Sequence, residues 1–284
     1  MERDVADAPP ADVRANLLER AQSINEKIEE HQAAIAELSG ERRECLEDLL
    51  AAGMTQIQIA NALGMSRGRI SQLMSAGVKA ERAFFGTGKV TVAIGGKLET
   101  GRVDGKPLVV ASGEAFGAYE RLADLLRTLG LESESEIVPP PGLLQLNRPN
   151  LVVLTSPRLL PFVGQVLDSD PHLGFASDDD GWFLVDKTTN TVYRSPSDGG
   201  ESTDYAYLGR LPRPDGKGTF LYLAGIHSPG TAGAVRHVEA HLPELYREVK
   251  NRRWSMLVAT KFDGKTRKVL ETSAVTPIYR HDNG

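Results

Sequence analysis

One cysteine in 284 residues, Cys45, leaves the chain without an internal disulfide, so nothing in it asks for an oxidising compartment. No run approaches the roughly 18 consecutive apolar residues of a membrane span. The opening MERDVADAPPADV is acidic and lacks the basic and apolar regions of a signal peptide. These absences set the expectation of a cytoplasmic protein with no membrane partner. Short chemical motifs are scarce as well. A single cysteine excludes C-x-x-C, GGK at 95–97 lacks the spacing of a phosphate-cradling P-loop, and no G-x-G-x-x-G follows a strand-like run. No catalytic residue, metal or cofactor is therefore assigned. An excess of positive charge is also lacking: the formal net charge of −5 argues against a chain coated in nucleic acid, since non-specific binding scales with phosphate neutralisation.

What is present divides the chain. Residues 1–10, ending in Pro9-Pro10, offer little to bury and are expected to be a disordered lead. From 11 to 40, Leu17, Ile24, Ile28, Ile35 and Leu38 recur with Ala21 and His31 at steps of four and three, between Glu, Lys, Gln and Arg. That is the a/d stripe of a coiled-coil dimerisation helix, although such stripes also pack within single-chain bundles. Gly40 is expected to break it, and Glu41 to Ala52 reads as a second helix with Cys45, Leu46, Leu49 and Leu50 on one face. Residues 76–89 read as a linker. The texture then becomes α/β from 90 to 284. VTVAI (90–94), PLVVA (107–111) and NLVVLT (150–155) are strand-like, and 117–130 and 161–167 are helix-like. Hairpins are expected around Thr188-Thr189-Asn190 and across a two-residue turn at Asp263-Gly264. The proline-rich stretch 139–149 suggests an inner boundary near 150.

The segment TQIQIANALGMSRGRISQLM, Thr55 to Met74, is the most specific feature. Ile57, Ile59, Ala60, Leu63, Ile70 and Leu73 sit where two crossing helices bury their inner faces, and Gly64 sits where the turn needs positive φ. Ser66 is placed as N-cap of the second helix, which leaves Arg67, Arg69, Ser71 and Gln72 on its outer side. Arginine and glutamine are side chains that read guanine and adenine edges, while Thr55 and Gln56 are positioned for phosphate. Lys79 adds to a local basic patch with Arg67, Arg69, Arg82 and Lys89. The segment resembles the helix-turn-helix of sigma-factor region 4 and resolvase-like domains on Thr55, Ile59, Ala60, Leu63–Ser66 and Ile70–Leu73. That resemblance covers residues 41–75 and implies contact with double-stranded DNA. With a homodimer, the operator would be an inverted repeat.

In α/β folds ligands bind where strands end and helices begin. Three loops fit: one with Ser112, Gly113 and Glu114, one with Ser156 and Arg158, and one with His227, Ser228, Gly230 and Thr231. Small residues and hydroxyls at helix N-termini suit a small anionic or nucleotide-like ligand, and equally suit capped structural turns. DYAYLGRLP with AGIHSPGTAGA (204–212 and 224–234) faintly resembles the C-terminal domain of S-layer-like and bacterial signalling proteins, which implies an autonomous domain rather than an activity. The sequence thus describes an α-helical N-terminal part followed by an α/β, Rossmann-like region with added hairpins: a DNA-binding transcription regulator with a ligand-sensing domain. Two alternatives stay open. One is a nucleotide- or nucleoside-cleaving hydrolase using Glu114 or His227, and the other a DNA-tethered protein-interaction module.

Overall fold

The computed structural model describes residues 11–75, 80–99 and 108–281, in two compact units, residues 1–80 and 81–284. The expected disordered lead (1–10) lies outside the described residues, as does Lys79.

In the first unit, helix α1 (Ala11–Ala51) passes without a break through Gly40, contrary to the two helices expected. One glycine in a helix interior costs only about 1 kcal/mol against alanine, and the good helix formers on both sides carry the helix across it. Helices α2 (Gln56–Ala62) and α3 (Arg67–Ser75) follow. The C-terminal end of α1 delivers Leu46 onto Ile59, Ala60 and Ile70, and Leu49, Leu50, Met54, Leu73 and Met74 close the edges of this small core. Ile57 and Leu63, expected inside, are 54% and 48% exposed, because the two short helices share one buried seam and these side chains face away from it. Cys45 is likewise exposed.

The second unit begins earlier than the expected linker allows. A 3-10 turn at Ala80–Phe84 carries Phe84 and Phe85 into the core, where Phe84 packs near Trp254 and its carbonyl accepts from buried Arg210. Its strands are β1 (Val90–Gly95), β2 (Lys97–Leu98), β3 (Val109–Val110), β4 (Ser133–Val138), β5 (Leu151–Val153), β6 (Leu173–Asp178), β7 (Gly181–Asp186), β8 (Thr191–Arg194), β9 (Thr203–Pro212), β10 (Thr219–Gly225), β11 (Trp254–Phe262), β12 (Val269–Ala274) and β13 (Tyr279–Arg280). Helices α4 (Gly113–Thr128), α5 (Pro161–Leu167) and α6 (Ser228–Val249) connect them. The main sheet runs β12-β11-β9-β10-β5-β1-β4, with β13 pairing to β11. Strands β4, β1, β5 and β10 are parallel, whereas β9, β11 and β12 are antiparallel.

The chain leaves β1 through α4 to reach β4 on one side, then returns to place β5 on the other side of β1. This reversal is the topological switch point of doubly wound folds. Because β5 lies between β1 and β10 in one continuous sheet, position 150 is no break in the sheet. The run 107–111, expected as a sheet strand, contributes only the short exposed β3, paired with β2; Val109 and Val110 have no sheet face to cover them. The turn across Asp263-Gly264 is longer than two residues: β11 and β12 are joined by 263–268, where Asp263 accepts from the backbone N–H groups of Lys265 and Thr266.

Alternate residues of the sheet face two layers. Ala93, Val153, Tyr207 and Tyr222 join Val163 and Leu167 of α5 and the hairpin residues Leu173 and Leu184 in one cluster. Helices α4 and α6 pack on each other and cover the other layer. The small β6–β8 sheet is tied down by the C-terminal strand: Tyr279 donates to Asp186 at 2.8 Å and stacks on His172 at 4.8 Å. Beneath it lies the buried trio Asp170, Ser255 and His281. Its residue types are those of a hydrolytic triad, but its geometry is not. His281 Nε2 faces both the Ser255 hydroxyl (2.9 Å) and Asp170 Oδ1 (3.3 Å), whereas a triad uses the two ring nitrogens separately. The trio is a structural tie. Burial alone would push the Asp170 carboxyl up, yet His281, backbone N–H donors and Ser255 together hold it down, at about 2 against an ordinary 3.8.

A group whose folded pKa is depressed stabilises the fold above its unfolded pKa and loses that contribution as pH falls toward the folded one. The stabilisation from Asp170 should therefore be complete above pH ~4 and vanish toward pH ~2, amounting to about 2 kcal/mol at neutral pH. Thermal melts of Asp170→Asn should show that loss at pH 7 and a flatter decline between pH 4 and 2 than the parent chain.

Candidate DNA interface and ligand site

In the first unit, the turn between α2 and α3 is set by Gly64 at φ +65°, where a side chain would be strained. The Ser66 hydroxyl then accepts from Arg69 N–H at 3.1 Å, so α3 starts where the sequence places it. With Ile70 fully buried beneath, Arg67, Arg69, Ser71 and Gln72 stand exposed along the outer side of α3. Among the described residues neither Arg67 nor Arg69 makes an ion pair, so both guanidinium groups are available to bases or phosphates. Thr55 and Gln56 have partners within the unit. The Thr55 hydroxyl and backbone N–H are engaged with Gln58 in a capping box, and Gln56 turns its amide toward the Met74 sulfur at 3.9 Å. Thr55 thus caps α2, and Gln56 bridges α2 to α3.

In the second unit, the three loops converge. Strands β1, β5 and β10 are parallel neighbours, so their C-terminal ends open on one side, and the loops that follow β5 and β10 meet the start of α4 there. A cavity of about 50 Å³ lies between them, lined by Ser112, Ser156, Arg158, His227, Ser228 and Thr231 together with Gly95, Lys97 and Thr155. Of the expected ligand residues, Gly113 and Glu114 fall outside it: both line a neighbouring groove, and Glu114 pairs with Arg267 at 3.1 Å. Gly230 is also absent from the lining. It is buried, and a Cβ there would stand 2.4 Å from Asp204 Oδ2 and 2.7 Å from the Tyr205 carbonyl.

Three of the five hydroxyls at the cavity hold the scaffold together. Ser112 caps α4 by accepting from Ala115 N–H at 3.1 Å. Thr155 accepts from Gly95 N–H at 2.7 Å and donates to Leu154 O, so it clamps the end of β1 to the end of β5. Thr231 accepts from Gly225 N–H at 2.9 Å and fixes the turn into α6. These three are committed to the scaffold. The Ser156 and Ser228 hydroxyls, Lys97 and Arg158 make no side-chain hydrogen bond among the described residues. Two unpaired cations therefore face the N-terminal ends of a 16-residue and a 22-residue helix, an arrangement that favours an anion.

His227 is the N-cap of α6 but caps nothing with its ring; its Nε2 lies 2.7 Å from Asp198 Oδ1. The capping is done across the sheet. Asp204, buried in β9, accepts at Oδ2 from the N–H groups of His227 and Gly230, each at 2.9 Å. Burial pushes its carboxyl above the ordinary value despite these donors. Of the two residues that the hydrolase alternative names, Glu114 is outside the cavity and held by Arg267, while His227 lines it. Elsewhere on α6, His237 and His241 bring their rings to 4.5 Å, and burial with the neighbouring His241 lowers His237 to about 4. No group of three or more metal-ligating side chains forms among the described residues. Among the polar cavity residues, Lys97 lies outside the loops that the sequence marks, and Thr155 opens one of those loops without being assigned as a ligand residue. The strand-end position of Thr155 was visible, whereas Lys97 is brought in by the small β2–β3 hairpin.

The fold classes are those expected: a helical N-terminal unit with a helix-turn-helix, then a mixed α/β sheet of Rossmann-like type. Residues 34–82 match the family model of sigma-70, region 4, a DNA-binding helix-turn-helix region to which this segment is similar. No curated protein and no solved structure matches the chain. No helix among the described residues is long and apolar enough to cross a membrane.

Since Gly230 is held by packing against Asp204, Gly230→Ala should destabilise the α/β unit by about 1–3 kcal/mol, as overpacked sites do. Denaturant unfolding checks this, and an unchanged midpoint would show that the Asp204 contact yields freely.

Proposed function

We propose that the chain is a transcription regulator that reads DNA as a homodimer through α3 and senses a small anionic ligand in the cavity at the ends of β1, β5 and β10. The observation that carries the first part is the pair Arg67 and Arg69, exposed and unpaired on a helix whose inner side is anchored by Ile70. Arginine in the major groove pairs bidentately with guanine. The dimer reading is supported by α1. Leu17, Ile24, Ile28, Ile35 and Leu38 are between 46% and 63% exposed, so the stripe finds no cover among the described residues of its unit. A second copy of the same helix would supply it by knobs-into-holes packing. The ligand reading rests on the unpaired Lys97 and Arg158 at the two helix N-termini. A ligand changes DNA binding only if it binds two arrangements of the dimer with different affinity, and residues 76–80, between the helix-turn-helix and the α/β unit, are the natural place for that difference to act.

Selection of bound sequences from random DNA, with full-length protein at stated salt near physiological, tests the reading. An enriched inverted repeat, with half-sites about ten base pairs apart or a multiple of that, is expected. On that site Arg67→Ala or Arg69→Ala should weaken binding by about 1–3 kcal/mol without affecting the melt. Equal loss on random DNA would make the two arginines phosphate contacts. The double variant Ile24→Glu/Ile28→Glu should sediment as a monomer while its α/β unit melts unchanged, and a surviving dimer would place the interface elsewhere.

A further inference from the structure

The strand-end cavity, of about 50 Å³, has room for an anionic head group, since a single water needs roughly 10–15 Å³ of such space. A second groove, of about 420 Å³, shares Arg158 with the cavity as a lining residue and could take the rest of a ligand.

The second groove has a different chemistry. Its floor is α5, where Gly164 lies close against Pro157. Its outer wall is the β6–β7 hairpin, which presents Trp182 and Phe175 with ring centroids 6.5 Å apart at 64°. Both rings are half-buried against the core and are thus held in place. Between floor and wall, Gln165 and Asp168 are exposed and have no side-chain partner among the described residues. An amide and a carboxylate beside a fixed aromatic wall suit a planar ring with hydrogen-bonding edges and neutral hydroxyls. Asp168 also repels a second anion, so a ligand's charged end must point the other way, past Arg158 into the cavity. Another groove near the cavity, between α4 and α6, is lined by Gly113, Gly117, Ala232 and Arg267 and has no aromatic side chain in its lining.

We infer that the ligand of the α/β unit is a nucleoside monophosphate, with its phosphate at the ends of β1, β5 and β10, its sugar hydroxyls near Asp168 and its base stacked on Trp182. This rests on the reading of the strand-end cavity as an anion site, and the experiment separates the two.

Full-length protein is titrated calorimetrically with inorganic phosphate, ribose 5-phosphate, adenosine and the four common nucleoside 5′-monophosphates. At least one nucleotide should bind about fivefold or more tighter than ribose 5-phosphate, since stacking on an aromatic side chain is worth at least that much, and it should quench tryptophan fluorescence. Trp182→Ala should bring that nucleotide to the affinity of ribose 5-phosphate and leave ribose 5-phosphate itself unchanged, while Trp182→Phe should keep most of the advantage. Should Trp182→Ala misfold, exposed Gln165→Ala provides the second variant, with a several-fold loss expected for the nucleotide alone. If ribose 5-phosphate and all four nucleotides bind equally, the anion site stands and the base site is overturned. If adenosine matches AMP and phosphate does not compete, the anion reading fails. No binding of any probe at millimolar concentration overturns both.

Discussion

A single carboxylate organises the end of the sheet at which the candidate ligand site lies. Asp204 is buried in β9, yet its hydrogen bonds run forward in sequence to the backbone of His227 and Gly230, where α6 begins. A buried carboxylate survives only if donors replace its lost water, and the first turn of a helix is the part of the backbone with donors to spare. The two needs meet each other. As a result α6 starts at a fixed point above the sheet, Gly230 is pressed too close for a side chain, and the His227 ring is released from capping to reach Asp198. Thr231 and Thr155 then close the neighbouring strand ends. The cavity is what remains once these scaffold bonds are made.

How legible this was in the sequence depended on how local the signal was. The helix-turn-helix is written in some twenty consecutive residues, with Gly64 and Ser66 each required by backbone geometry, and its family was readable at sight. The three strand-end loops were also recognisable from small residues following β-branched runs. Their convergence was not, because it depends on β5 and β10 being parallel neighbours, a fact of pairing that no local pattern carries. Strand β4, SESEIV, escaped notice because an edge strand beside β1 shows mostly polar side chains to water. Strand β6 escaped because Gly174, Ala176 and Ser177 carry little β signal and only its pairing with β7 makes it a strand.

Residue type alone points two ways. Glycine is a poor helix former, yet Gly40 does not break α1, because its cost is small beside the propensity of the long sequences flanking it. Thr55, Gln56, Glu114 and Gly230 are of types that suit phosphate or catalysis, and in the fold each also satisfies a neighbour: a capping box, a methionine sulfur, Arg267 and Asp204 in turn. Polar side chains at helix starts serve the backbone first, and only those left over, such as Arg158 and Ser228, remain for a ligand.

The unbroken course of α1 fixes an angle as well as a length. Forty-one helical residues span about 60 Å, with the exposed apolar stripe toward one end and Leu46, the anchor of the DNA-reading core, toward the other. In a continuous helix each residue between them contributes about 100° of rotation. The number of residues from Leu38 to Leu46 therefore sets the compass bearing of the reading helix relative to the stripe. One residue inserted there would swing it by more than a quarter turn without disturbing a contact in either region.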